Sequence, residues 1–337
     1  MKNKICLISH ESIYFNGNDF FCDNIDMKSI PEGLSVRNEI KLIGRSSKNK
    51  RGKIINISNI KIFKNLFSYL AEVFQSGLKK DYKYLVISLT PYTFLSILLL
   101  KILGKKVFLY LRSDGFKEYY IILGTLGKLI YGFMFKISSN LTSLISCRDH
   151  LLKSKKGIIV NPSQINQNWF QNLKEVTNDE IKLLYVGRMR KEKGIFSLID
   201  LLQNKSDIKL QIINSENYKN NYINKNINIV ELNNNKDEII KYYDDCNIFI
   251  LPSFTEAHPQ VLDEALARLR PVVVFNEIEH VNRDREGVFV SNRSFTDLKN
   301  TCKFILENYQ DIQYKMKKNI LPTKKKFLNE LESALNN

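Results

Sequence analysis

The chain reads as an α/β protein built of two Rossmann-like domains facing across a cleft. Three observations predict this. Its 337 residues are too many for one ordinary core and fit two domains of about 150 each. Strand-length apolar runs alternate with helix-length amphipathic segments from end to end, the pattern of parallel sheets wrapped by helices. A polar stretch rich in Asn and Gln, NPSQINQNWFQNLKEVTND, has Pro162 near its start, interrupts the alternation midway and reads as a linker.

In the first half, strands are predicted at 5–9, 54–57, 84–89, 107–111, 142–146 and 157–160, with helices near 60–75, 92–103 and 124–136. Beyond the linker the strands fall at 182–186, 208–213, 227–230, 248–251 and 271–275, and the helices at 194–203, 236–243, 260–267 and 296–308. The expected organisation is therefore a domain over 1–160, a linker over 161–180, a second domain over 181–315 and a tail over 316–337. In the tail Phe327, Leu328, Leu331 and Leu335 share one helical face, which should pack on a domain surface.

Apolar residues at 44% and charged residues at 26% exclude a disordered, fibrous or collagen-like chain. A net charge of +16, from 51 Lys and Arg against 35 Asp and Glu, favours anionic partners: nucleotide phosphates, anionic lipid headgroups or nucleic acid. The basic residues are dispersed among Asn and Ile, with no helix-turn-helix, zinc-finger or RNP-type pattern, so no nucleic-acid partner is expected. A solvated surface and docking on an anionic inner membrane both account for the charge.

Cys6, Cys22, Cys147, Cys246 and Cys302 are widely spaced, and several lie in apolar runs, as expected of buried free thiols in a reducing compartment. No C-x-x-C pair occurs and the four histidines are scattered, so no protein-held metal is expected. MKNKICLISHE turns polar too soon for a signal peptide, which places the chain in the cytoplasm as an expectation. The run YTFLSILLLKIL at 92–103 is shorter than the ~20 residues a bilayer core needs and reads as a buried helix.

Ligands of open α/β sheets bind at the carboxyl ends of strands, so the residues just after each strand carry the functional reading. After 182–186 comes GRMRKEKG, where Gly187, Arg188 and Lys193 form a tight basic turn leading into a helix, suited to a diphosphate. After 248–251 comes PSFTEAHPQVLDEALA, with Glu256 in the loop and Glu264 in the second turn of a helix opened by Pro259. The backbone of His258, Pro259, Gln260 and Val261 then faces a phosphate, while the two carboxylates suit ribose and sugar hydroxyls. Taken singly, each feature has a plainer reading: a basic helix cap, or a solvated glutamate. In the first half, Asp114 ends the strand 107–111 within RSDGFKEY, where a cleft residue and a turn of Asp and Gly are both open readings. The stretch from His10-Glu11 to Asn16-Gly17-Asn18 reads as a loop after the first strand.

The pair LLYVGRMRKEKG and ILPSFTEAHPQVLDEALA, with its E-x7-E element and preceding Pro-Ser, resembles the retaining glycosyltransferases of family 4, which have the two-Rossmann GT-B architecture. The likeness covers about residues 181–310 and is weaker before them. It implies a transferase using a nucleotide-diphosphate sugar as co-substrate, with no cofactor and no metal, and an acceptor that is a glycan or lipid-linked glycan bound by domain 1–160. Position by position it implies Arg188 and Lys193 on the donor diphosphate, Glu264 on the ribose, Glu256 on the transferred sugar, and Asp114 near the reacting sugar. Base selection falls to the loops after 213 and 230, including Asn214, Leu232 and Asn233. Relatives carry Gly near the first glutamate and a small-Gly pair after the helix. Here Ala257-His258 and Leu269-Arg270 stand there instead, and His258 reads as a donor contact or a helix cap. A non-catalytic partner subunit or binding module of the same fold would be expected to have lost Arg188, Lys193 or Glu264, and all three are present.

Overall fold

Along β1 (Lys4–Phe15) successive side chains turn to opposite faces, and both faces are apolar: Ile5 and Leu7 enter one core cluster, Cys6 and Ile8 the other. Such a strand belongs inside a parallel sheet covered on both sides. In the computed structural model it pairs in parallel with β3 (Glu39–Ser47) and β6 (Tyr82–Ile87). Parallel pairing continues to β5 (Ile60–Phe63) on one side, and through β7 (Val107–Leu111) and β8 (Ser143–Ser146) to β9 (Gly157–Ile159) on the other. The short β2 (Phe20–Cys22) and β4 (Lys53–Ile54) extend the sheet antiparallel. The structure describes residues 3–79, 81–177, 179–214, 225–231, 236–283 and 285–336.

Helices α2 (Leu66–Leu78), α3 (Pro91–Ile102) and α4 (Gly115–Leu141) cover the face bearing Cys6 and Ile8. The opposite face is covered by α1 (Ile25–Ser35) and by the last helix, α10 (Lys324–Asn336), so the first unit is Met1–Pro162 together with Lys325–Asn337. The apolar face expected of the tail is the one buried: Phe327, Leu331 and Leu335 lie in the core, and Leu328 packs against it. A Cβ at Gly33 of α1 would stand 2.3 Å from Leu328 Cδ1, which measures how closely the two helices approach. Glu330 accepts the Asn161 N–H at 2.8 Å, and Glu332 accepts from Arg37 and Asn38. The tail therefore completes this core, and Leu331→Ala should destabilise the first unit by about 3 kcal/mol in denaturant unfolding.

Several first-half elements differ from expectation. The stretch from His10 to Phe15 is not a loop: β1 continues through it, with a register shift between Ile8 and Ser12 that carries the polar His10, Glu11 and Ser12 on a bulge. Residues 60–63, predicted helical, form β5 because β3 offers them a parallel partner, and the helix begins after Asn65, whose side chain caps it at Ser68 N. The helix predicted from 124 starts at Gly115, and Gly124 bends it sharply at φ 63°, ψ −147°.

The second unit, Ser163–Lys324, is built on a wholly parallel sheet. Its strands are β10 (Ile181–Gly187), β11 (Ile208–Asn214), β12 (Ile227–Glu231), β13 (Ile248–Leu251), β14 (Val272–Phe275) and β15 (Val288–Ser291), in the order β12-β11-β10-β13-β14-β15. Strand order reverses between β10 and β13, and the carboxyl ends at such a switch point are where doubly wound sheets bind ligands. Helices α5 (Ile195–Leu202), α6 (Lys236–Asp245), α7 (Gln260–Ala267), α8 (Phe295–Glu307) and α9 (Tyr309–Met316) complete the unit.

The stretch read as a linker lies within this unit. Trp169 is buried edge-on to Tyr243, with ring centroids 5.3 Å apart, and the carbonyls of residues 169, 171 and 172 are held by Arg268. The division accordingly falls after Pro162 and before Lys325, where the sequence suggested 160 and 316. All five cysteines are free and buried.

Candidate functional site

The site is assembled where β10 and β13 end. Gly194, after the basic turn, adopts φ 64°, and a Cβ there would lie 1.9 Å from Pro252 O, so glycine is required for the turn to seat against the loop after β13. Phe254 N donates to Glu192 O at 3.0 Å and locks the two segments together. This brings Lys193 to Glu256: Nζ donates to Oε1 at 2.7 Å, and Ser253 Oγ donates to the same oxygen at 2.7 Å. The ring Nε2 of His280 lies 2.9 Å from Glu256 O. Arg188 is exposed on the same turn, its carbonyl held by Tyr185 Oη at 2.9 Å, and its guanidinium meets no partner among the described residues. The turn thus presents Lys193 bound to a carboxylate and Arg188 open to an incoming anion.

Pro259 is the N-cap of α7 rather than its first residue, so Gln260 and Val261 form the first turn, at the positive end of the helix dipole. One turn on, Glu264 is buried and its Oε2 accepts from Tyr243 Oη at 2.9 Å. Burial, reinforced by the Glu264 charge, pushes the Tyr243 hydroxyl well above its ordinary range, so it stays a donor and fixes the carboxylate. The His258 side chain is also buried, with Nε2 3.4 Å from Asp263 Oδ2 and Nδ1 3.1 Å from Arg283 Nη2, while Asp263 pairs with Arg285. That ionic cluster fixes the loop whose backbone leads into α7.

Asp114 lies in the first unit as the N-cap of α4: Oδ1 accepts from Phe116 N at 3.1 Å and Lys117 N at 3.4 Å, and Lys153 Nζ is 3.7 Å from Oδ2. Near it the end of β7 carries Arg112, which bonds Ser88 Oγ at 3.3 Å, Asn24 Oδ1 at 3.2 Å and Asp26 Oδ2 at 3.2 Å. Burial disfavours the Arg112 charge, yet Asp26 and Glu11 outweigh it and raise its pKa. On the bulge of β1, burial and Arg45 push His10 down to about 4, so the ring is neutral at neutral pH, stacked on Tyr92 at 4.5 Å and accepting from Arg45 at 2.9 Å.

The sequence had pointed to Lys193 and Glu256 separately, and the structure puts them in contact. Ser253 stood in the quoted Pro-Ser pair but without a role. Tyr243 and the Asp263–Arg285 pair left no local signal, because their partners lie 21 and 22 positions away. Asn214 is buried at the end of β11, whereas Leu232 and Asn233 lie outside the described residues. Among the described residues no group of three or more His, Cys, Asp or Glu could hold a metal ion.

Residues 166–321 match the family model described as glycosyl transferases group 1. The matched segment lies within the second unit and contains Arg188, Lys193, Glu256 and Glu264. The chain is 28% identical over 157 residues to the capsular polysaccharide biosynthesis glycosyltransferase CapM of Staphylococcus aureus, covering 42% of this chain and 41% of CapM. It is 30% identical over 95 residues to TuaC of Bacillus subtilis (strain 168), a putative teichuronic acid biosynthesis glycosyltransferase, covering 28% of this chain and 24% of TuaC. The matches therefore span well under half the length of these curated relatives. Among solved structures, Anabaena HepE in complex with UDP-glucose superposes with a TM-score of 0.67 at 12% identity, over 99% of this chain and 98% of that one. The likeness is one of fold, and the fold class is GT-B.

Proposed function

We propose that the chain is a retaining glycosyltransferase moving a sugar from a nucleotide-diphosphate donor to a glycan or lipid-linked glycan acceptor in bacterial surface polysaccharide synthesis. The observation that carries this is the Lys193–Glu256–Ser253 contact at the switch point of the second unit, with the open Arg188 guanidinium on the same turn. The names of CapM and TuaC and the UDP-glucose bound to HepE support the substrate class.

In this reading Arg188 and Lys193 hold the diphosphate, the first turn of α7 adds its dipole, Glu264 accepts from the ribose hydroxyls, and Glu256 accepts from the transferred sugar. The anomeric carbon–oxygen bond breaks with its electron pair leaving on the diphosphate. The acceptor oxygen bonds that carbon on the same face, and its proton passes to the departing phosphate oxygen. The protein's contribution is electrostatic and comes from the two cations, so the reaction is metal-independent; no D-x-D triplet stands at a strand end in the sequence. The acceptor falls to the first unit, and the enzyme works in the cytoplasm at the inner face of the plasma membrane.

A thermal-shift screen against UDP, GDP, ADP, CMP and their sugars tests the donor site, since a ligand at 100 times its Kd stabilises by about 2.7 kcal/mol. Glu264→Ala should weaken binding of the responding nucleoside diphosphate by about tenfold or more, the loss of a hydrogen bond to a charged group. Unchanged affinity in calorimetry would remove Glu264 from the ribose.

A further inference from the structure

The part of α4 after Gly124 is anchored in the first unit by Tyr131, Met134 and Phe135. Its other side is not. Ile121, Ile122, Leu123, Leu126, Leu129 and Phe133 are all more than half exposed, Ile122 by 72% and Leu129 by 70%. Leu126, Leu129 and Phe133 recur at helical spacing and so share a face, and the three residues before them stand immediately ahead of the Gly124 bend. Singly exposed apolar residues are ordinary, but six such large side chains within thirteen residues of one helix are the kind of exposed apolar surface that marks an interaction site.

Charge decides what the surface meets. Lys117, Lys128 and Lys136 are exposed along α4, and Glu118 is the only acidic residue in it. Lys153 sits over the Phe116 ring at 5.4 Å, and Lys155 Nζ donates to Asn140 Oδ1 at 2.8 Å, so cations accompany the helix at both ends. Hydrocarbon beneath a layer of negative headgroups satisfies both features at once. By length and composition α4 could cross a bilayer, with a mean hydropathy of 1.4 over its most apolar window. The break at Gly124 and the engagement of Tyr131, Met134 and Phe135 in the core rule out that role, and they leave the exposed side to lie along a surface.

We propose that the exposed side of α4 is a monotopic docking element, inserting its apolar side chains at the headgroup boundary of an anionic bilayer while its lysines contact the lipid charge. The proposal deepens the membrane-associated reading above and rests on it for purpose. Its test uses neither donor nor acceptor, so the two readings fail separately.

The full chain is sedimented with vesicles of phosphatidylcholine, with and without phosphatidylglycerol. Wild type should partition onto the mixed vesicles, and less so in high salt. An Ile122→Ser/Leu129→Ser variant should bind at least about tenfold more weakly, and Lys117→Ser/Lys128→Ser should lose its preference for the anionic vesicles. Since these positions are exposed, melting temperatures should stay at the wild-type value. A Leu126→Trp reporter should shift its emission to the blue on vesicles, against the constant signal of buried Trp169. The proposal is overturned if wild type fails to bind, if the double serine variant binds equally well, or if bound Leu126→Trp shows no shift. It is also overturned if the serine variant converts a wild-type dimer to monomer with vesicle binding unchanged, for then a second copy covers the helix.

Discussion

An Arg188→Ala variant should lose about 100-fold or more in kcat while its donor KM rises only slightly. The reason is where charge develops. In the proposed transfer, negative charge accumulates on the leaving diphosphate as the glycosidic bond breaks, so a cation beside it gains more in the transition state than in the ground state. The structure separates the two candidates. Lys193 is already paired with Glu256 at 2.7 Å and with it positions the loop after β13. Arg188 is exposed and has no acceptor among the described residues, so a diphosphate engages it without breaking an existing ion pair. A 100-fold loss corresponds to about 2.7 kcal/mol of transition-state stabilisation, the scale of one oxyanion donor. Arg188→Lys should recover part of the rate, because an ammonium restores charge without the planar two-pronged geometry. Steady-state kinetics on both variants check this. A wild-type kcat with only a raised KM would assign Arg188 to uniform binding and move the electrostatic role elsewhere.

The second unit was the more legible half, and the reason is physical. Buried parallel strands such as IFIL and LLYVG are continuous apolar runs, each followed at once by the loop that carries function, so pattern and site coincide. The edge strand β15 was missed because it is four residues long and only its ends are buried. In the first half, β1 passes through a polar bulge, α1 carries Pro31 in its interior, and residues 60–63 take a strand form that only their partner β3 dictates. In the two strands tertiary pairing overrides local pattern. At the site, the residue types and spacing of Arg188, Lys193, Glu256 and Glu264 were readable, but their supports were not. Tyr243 reaches Glu264 from another helix, and Leu269-Arg270, which looked like a departure from a small-residue turn, proves to be part of a buried network. Leu269 there adopts φ 55°, held between two arginines that are fully buried.

Removing the Arg268 side chain should destabilise the second unit by about 4 kcal/mol, the upper range for a single substitution. All five guanidinium hydrogens have acceptors: Asp244 Oδ1 at 2.8 Å and Oδ2 at 2.9 Å, and the carbonyls of Trp169 at 3.1 Å, Gln171 at 2.7 Å and Asn172 at 2.9 Å. Arg268→Ala leaves the buried Asp244 carboxylate with Arg270, 3.8 Å away, as its remaining ion pair and takes the guanidinium from three carbonyls, and Arg268→Lys, with three hydrogens on a single nitrogen, should restore little. The three carbonyls belong to the segment that enters the unit, so its amides over 169–174 should exchange with solvent much faster, while the first unit's amides stay protected. An Arg268→Met/Asp244→Leu pair removes both charges but does not restore the guanidinium tether to the three carbonyls, so it should recover only part of the lost stability. Denaturant unfolding followed by hydrogen exchange distinguishes the cases. Full recovery in the pair would mean that the buried ion pair alone mattered and that the tether to residues 169–172 contributes nothing, whereas partial recovery with fast exchange over 169–174 identifies Arg268 as the clasp holding the entry segment to the rest of the second unit.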